Sequence, residues 1–133
     1  GKYMDTEFTE INVTSTSHAV GDPLDLVPQF GYSLWMNYSF DWFDQSPGFL
    51  RVDYSQQGKS HYRNRSFGSN YHSTSDIVDI FNARLGWEGD QWSLELFALN
   101  LLNERGLIGS LDIESLSARP RPRSIGLHVG VKF

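Results

Sequence analysis

The sequence predicts an all-β chain: an antiparallel up-and-down meander of about six strands that forms part of a transmembrane β-barrel. Three observations predict it. Apolar and polar residues alternate with period two in several segments, as they do when a strand turns successive side chains to opposite faces. The connections run long, short, long, short, long, which puts all long loops at one end of the sheet and all tight turns at the other, as outer loops and periplasmic turns are placed in membrane barrels. Aromatic residues make up 14 % of the chain, and several border the short turns, where a lipid–water interface favours rings.

In order, residues 3–13 read as a weak strand with Met4, Thr6 and Phe8 on one side and Asp5 and Glu7 on the other. Residues 14–27 are loop, with the turn formers Gly21, Asp22 and Pro23. Residues 29–42 give the clearest alternation: Tyr32, Leu34, Met36, Tyr38, Phe40 and Trp42 share one face, while Ser33, Asn37, Ser39 and Asp41 share the other with Trp35. A helix would smear these apolar residues around its axis. Asp44 to Gly48 is a short turn. Residues 49–62 continue as strand, Leu50, Val52 and Tyr54 opposing Arg51, Asp53 and Ser55. Residues 63–75 are polar loop.

Residues 76–88 place Ile77, Phe81, Ala83, Leu85 and Trp87 on one face, and Gly89-Asp90 makes a tight hairpin. Residues 92–103 set Trp92, Leu94, Leu96 and Ala98 opposite Ser93, Glu95, Phe97 and Leu99. Residues 104–122 form a long loop. The last strand, from Arg123 to Phe133, carries Ile125, Leu127, Val129, Val131 and Phe133 on its apolar side and Ser124, Gly126, His128, Gly130 and Lys132 on its polar side. Its length is about the 9–11 residues of a tilted membrane-spanning strand. Trp42, Phe43, Trp87 and Trp92 flank the two short turns and form the expected interface girdle, with Phe133 at the same level.

Composition narrows the function classes. The net charge of −5 and the scattered Lys and Arg exclude the basic stripe of a nucleic-acid binder. With no cysteine there is no disulfide framework or thiolate metal site. No apolar run reaches the roughly 18 residues of a membrane helix, and the first residues form no apolar signal region. The four histidines show no metal-binding spacing. The acid pairs Asp5/Glu7, Asp22/Asp25 and Asp112/Glu114 read as lumen-facing or solvated loop carboxylates, with Ca²⁺ ligation by the loop pairs as the sharper alternative. No catalytic constellation, metal site or cofactor is assigned.

Taken together, the Gly21–Pro28 loop of form G-x-x-L-x-x-V-P, the strand Y-S-L-W-M-N-Y, then L-R-V-D-Y-S, F-N-A-R-L-G-W, W-S-L-E-L-F-A-L-N-L-L-N-E and the closing R-P-R-S-I-G-L-H-V-G-V-K-F resemble the C-terminal end of a TonB-dependent outer-membrane receptor. The most specific piece is Asn100-Leu-Leu-Asn103-Glu, similar to the family's N-L-F-D/N block. Two positions depart from the pattern: Leu102 stands for the usual Phe, and His128 stands where the terminal strand often has Gly.

The resemblance implies a bacterial outer-membrane barrel of about 22 strands, plugged by an N-terminal domain. Such a barrel takes up a scarce ligand (siderophore-iron, haem, cobalamin or a saccharide) with energy delivered through TonB. Residues 1–133 are then expected to be a fragment holding about the last six strands, without the plug. Partners would be outer-membrane lipid and lipopolysaccharide, the rest of the barrel and its plug, TonB through that plug, and the barrel-assembly machinery. Leu127, Val129, Val131 and Phe133 would form the assembly signal. Tyr62, Arg63, Arg65, Phe67 and Tyr71 are candidate extracellular ligand contacts. Arg119, Arg121 and Arg123 are candidate lipopolysaccharide contacts, since Arg suits bidentate phosphate binding; a solvated rim stiffened by proline is the plainer reading. The competing function is a soluble β-sandwich or small-barrel binding module, for example for carbohydrate, which would have to bury the apolar face under a second layer.

Overall fold

The structure, a computed structural model, describes residues 2–3, 5, 7, 9–10, 19–42, 46–64, 71–110 and 117–132. Strand residues dominate, and among the described residues there is no helix. Six strands form one sheet in the order β1 (Lys2–Tyr3), β2 (Phe30–Asp41), β3 (Pro47–Gln57), β6 (Val78–Glu88), β7 (Trp92–Leu99) and β10 (Ser124–Val131), an antiparallel meander in chain order. Two small hairpins lie outside that sheet: β4 (His61–Asn64) with β5 (Tyr71–Thr74), and β8 (Gly109–Ser110) with β9 (Ser117–Ala118).

The connections between sheet strands alternate as the sequence implied: 4–29 long, 42–46 short, 58–77 long, 89–91 short, 100–123 long. Trp42 N–H closes the first short turn on the Ser46 carbonyl at 2.8 Å, and Gly89 N–H closes the second on the Trp92 carbonyl at 2.8 Å.

Three expectations need correction. The strand over 3–13 is confined, among the described residues, to Lys2–Tyr3, which pair with Gly31 and Phe30; Glu7 makes only an isolated bridge to Pro23. Of that expected strand, Met4, Thr6, Phe8 and residues 11–13 lie outside the described residues. The strand over 49–62 is broken after Gln57, where Gly58 N–H turns to the Phe30 carbonyl at 2.9 Å. The segments 63–75 and 104–122 are not plain loops but carry the two hairpins.

The chain divides into two compact units. The first holds Gly1–Tyr32, Gln56–Val78 and Arg105–Pro120; the second holds Ser33–Ser55, Asp79–Glu104 and Arg121–Phe133. In the first, β8 lies against both strands of the β4–β5 hairpin. Ser60 N–H and Oγ meet Ser75 Oγ at 2.8 and 3.2 Å, both serines buried. Asp76 and Leu107 exchange two hydrogen bonds, of 2.8 and 2.7 Å. The second unit is the greater part of the sheet, and its register fixes which residues share a face.

Candidate functional site

In the second unit, the strand registers align Ala83 with Ala98 and Ile125, Leu85 with Leu96 and Leu127, Trp87 with Leu94 and Val129, and Trp92 with Val131. One sheet face is therefore almost wholly apolar. On β2 the rings of Tyr38, Phe40 and Trp42 follow one another at 5.7 and 5.4 Å, again on alternate residues. This face is uncovered: Leu34 is 65 % exposed, Ile125 64 % and Leu127 55 %. Val78, in the first unit, is the one buried hydrophobic side chain among those described. A water-soluble domain hides such rows under another layer, so an uncovered face of this kind marks contact with membrane or partner.

The expected assembly-signal residues Leu127, Val129 and Val131 belong to this face; Phe133 lies outside the described residues. Of the girdle, Trp42, Trp87 and Trp92 flank the two short turns, and Phe43 lies outside the described residues. A groove of about 550 Å³ is lined by Trp42, Trp87, Leu85, Leu94, Leu96 and Leu127, with Ser46 and Gly86. With no titratable side chain in its lining, it can hold an apolar group but offers no chemistry.

The opposite face carries the charged residues, interspersed with the rings of Trp35, Phe49 and Phe97. Arg51 and Asp53, two apart on β3, form an ion pair at 2.8 Å. Glu95 on β7 meets Arg84 of β6 at 3.7 Å and the His128 ring of β10 at 3.5 Å. Lys132 pairs with Glu88. A row of charged and polar side chains thus crosses from β3 to β10. Between these charges, rings lie over glycines. A Cβ on Gly126 would stand 2.4 Å from Phe97 Cζ, and one on Gly86 2.1 Å from Phe49 Cε1. The glycines let aromatic rings cover the backbone of the neighbouring strand, which helps pin register. Gly126→Val should therefore cost about 1–3 kcal/mol by overpacking. Thermal loss of folded mobility on gels would measure it, and a second change, Phe97→Ala, should restore part of the loss.

In the first unit, the β4–β5 hairpin holds a small polar pocket of about 170 Å³ lined by Asp22, Pro23, Asp25, His61, Arg63 and His72. Arg63 Nη1 donates to Asp22 Oδ1 at 2.6 Å, and Arg63 N–H donates to Asp25 Oδ1 at 3.1 Å. Leu26 N–H donates to the His61 carbonyl at 2.7 Å. His61 and His72 rings stack at 6.1 Å. On neighbouring positions Tyr62 and Tyr71 meet at 6.2 Å.

Of the expected ligand contacts, Tyr62, Arg63 and Tyr71 are thus on one hairpin, while Arg65 and Phe67 lie outside the described residues. The loop acids Asp22 and Asp25 are not simply solvated: they hold Arg63. Asp112 and Glu114 lie outside the described residues. No cluster of three or more His, Asp or Glu arranged for a metal ion occurs among the described residues. Sequence reasoning missed His61, His72 and the Asp22/Asp25–Arg63 link. No local pattern signals the link, since Asp22 and Asp25 stand 41 and 38 positions before Arg63. Arg63→Ala is expected to free the 21–26 segment at a cost of about 1–2 kcal/mol, read as faster proteolysis at that segment.

At the end of β7 the Asn100-Leu-Leu-Asn103 block is a hydrogen-bonded knot. Asn100 and Asn103 have φ of 49° and 57°, a left-handed conformation that Asn tolerates better than most residues. Asn100 is 5 % exposed. Its Nδ2 donates to the carbonyls of Glu104 and Arg121 at 2.9 and 2.7 Å, and its Oδ1 accepts from Glu104 N–H at 2.8 Å. Asn100 N–H donates to Asn82 Oδ1 at 2.9 Å, and Arg123 N–H donates to Asn103 Oδ1 at 3.3 Å. The knot therefore ties β6 and β7 to the segment that leads into β10.

The three rim arginines are all exposed but not equivalent. Arg119 Nη1 donates to the Arg105 carbonyl at 2.6 Å within the first unit. Arg121 and Arg123 belong to the second unit, held through their backbone by the knot.

Residues 2–101 match the family described as TonB dependent receptor-like, beta-barrel. The match covers the sheet through β7 and stops inside the Asn100-Leu-Leu-Asn103 block, so β10 lies beyond it. No curated protein and no solved structure matches the chain.

Proposed function

We propose, from the premise that the chain belongs to the TonB-dependent receptor β-barrel family, that it forms the C-terminal wall of an outer-membrane receptor. The family is one of receptors and transporters of the outer membrane rather than of enzymes. In this reading the uncovered apolar face meets lipid, and the face carrying Arg51, Asp53, Arg84, Glu95 and His128 lines the lumen beside the plug. The short turns 42–46 and 89–91 face the periplasm, with Trp42, Trp87 and Trp92 at that interface. The residues Leu127, Val129, Val131 and Phe133 present the strand that the barrel-assembly machinery recognises. Residues 1–133 contribute their strands to a larger barrel, closed by strands of the same polypeptide. That closure removes the two open sheet edges, which otherwise invite aggregation.

The carrying observation is the two-faced sheet: apolar rows that nothing covers on one side, a charge row on the other. It also weighs against a soluble sandwich or small-barrel module. Such a module needs a covering layer, and Val78 alone is a buried apolar residue among those described.

The receptor would take up a scarce ligand of the siderophore-iron, haem, cobalamin or saccharide class, energised by TonB through the plug. The β4–β5 hairpin, with Tyr62, Arg63 and Tyr71 and the continuing residues Arg65 and Phe67, contributes to its outer vestibule. The test is fractionation and uptake with the full polypeptide. It should sediment with outer membranes, migrate heat-modifiably, and lose or change ligand uptake when residues 61–74 are replaced by those of another receptor. Uptake specificity untouched by that exchange would exclude the hairpin from the vestibule; a polypeptide found in the soluble fraction would exclude the receptor reading itself.

A further inference from the structure

We propose that Arg121 and Arg123 form a ridge that binds the phosphate groups of lipopolysaccharide at the outer rim of the barrel. The proposal rests on the outer-membrane reading above and adds a specific lipid site to it.

Position is the first argument. Arg123 immediately precedes β10, and strand alternation continues the column Val129, Leu127, Ile125 onto it. Those side chains are on the uncovered apolar face, so Arg123 stands at the end of the lipid-facing column. Ser124 pairs with Leu99, at the end of β7 opposite the 89–91 turn. With short turns periplasmic, this end is the outer one, where the phosphorylated headgroups of the outer leaflet lie.

Preorganisation is the second. The Arg121 carbonyl accepts from Asn100 Nδ2 at 2.7 Å, and Arg123 N–H donates to Asn103 Oδ1 at 3.3 Å. Pro122 biases Arg121 away from helical and toward extended backbone conformations. A backbone fixed in advance loses less entropy when its side chains engage a ligand.

Charge is the third. The chain carries a net −5, and Arg51, Arg63 and Arg84 each pair with a carboxylate. Among the described residues no carboxylate pairs with the exposed side chains of Arg121 or Arg123. Two guanidinium forks two residues apart suit a lipid headgroup bearing phosphate, since each can bind phosphate oxygens bidentately. Arg119 is left out of the ridge, because its guanidinium is engaged by the Arg105 carbonyl. The three-arginine expectation from sequence therefore narrows to two.

The test uses the full polypeptide, purified from outer membranes in mild detergent and titrated with bis-phosphorylated lipid A by native mass spectrometry. The double variant Arg121→Gln, Arg123→Gln should bind lipid A about tenfold more weakly or worse, while Arg119→Gln binds as the unaltered protein does. Lipid A stripped of phosphate should bind the unaltered protein as weakly as it binds the double variant. Heat-modifiable migration of the double variant establishes that it is folded. Equal affinity of the folded double variant and the unaltered protein would overturn the ridge, as would equal binding of phosphate-free lipid A. Displacement of lipid A by equimolar inorganic phosphate would also overturn it, by making the site one for free anions. A polypeptide absent from the outer membrane would defeat the underlying membrane reading instead.

Discussion

Leu127→Arg should stop the chain from inserting, at a cost of about 2–4 kcal/mol for a charge near the middle of a lipid-facing strand. Leu127 lies midway along β10, in the row formed with Leu96 and Leu85, and is 55 % exposed. That exposure gives the prediction its force. In water a half-exposed Leu accepts Arg at little cost, because the guanidinium stays solvated and nothing packs over the position. The large penalty arises only if lipid covers the face.

The adjacent position provides the control. His128 is on the charged face beside Glu95, at 3.5 Å. His128→Arg places a guanidinium next to that carboxylate, on the side away from the apolar rows, and should leave insertion unchanged. Outer-membrane recovery and heat-modifiable migration of the two variants would read the difference. Equal recovery of both would mean that β10 has no lipid-facing side.

Asn100→Ala should destabilise the folded wall by about 3–4 kcal/mol, adding the loss of several buried hydrogen bonds to the left-handed backbone penalty of a Cβ without a polar tip. Asn100 is nearly buried and its side chain serves Glu104 N–H and the carbonyls of Glu104 and Arg121. All three groups lose that partner at once. Asn100→Gly separates the two contributions: it removes the same hydrogen bonds but keeps the φ of 49° accessible, so it should recover about 1 kcal/mol relative to Ala. Denaturant midpoints of the folded barrel would measure both. Because the knot also holds the backbone of Arg121 and Arg123, Asn100→Ala should loosen the start of β10, seen as faster amide exchange at 123–125 than at 128–130.

The sheet was legible because its strands obey one rule. In β2, β6 and β10 an apolar residue stands at nearly every second position, and lipid on one side with water on the other enforces that pattern. The alternating loop lengths followed from locating those strands. What stayed hidden has a common cause. The hairpin β4–β5 alternates polar and aromatic polar residues, His61 and Arg63 on one face and Tyr62 on the other, so hydrophobic periodicity is silent there.

The pocket beside it depends on Arg63 meeting acids 41 and 38 positions earlier, a pairing that no local pattern encodes. The Asn100-Leu-Leu-Asn103 block could be recognised as a motif. Its mechanical task, tying β6 and β7 to the segment before β10, required the hydrogen bonds to be seen. Along 3–13 the alternation is weak, and among the described residues only Tyr3, next to Lys2, pairs with β2.

The most direct test of the two-faced wall is a nitroxide scan along β10, a strand in a stretch of 133 residues without cysteine. Single cysteines at positions 124–131 of the full polypeptide, spin-labelled in reconstituted bilayers, would be compared for collision with oxygen and with a water-soluble nickel chelate. The account predicts a period of two: oxygen favoured at Ile125, Leu127, Val129 and Val131, and the chelate favoured at Ser124, Gly126, His128 and Gly130. Accessibility that is uniform along the strand, or chelate-favoured at the odd positions, would contradict it.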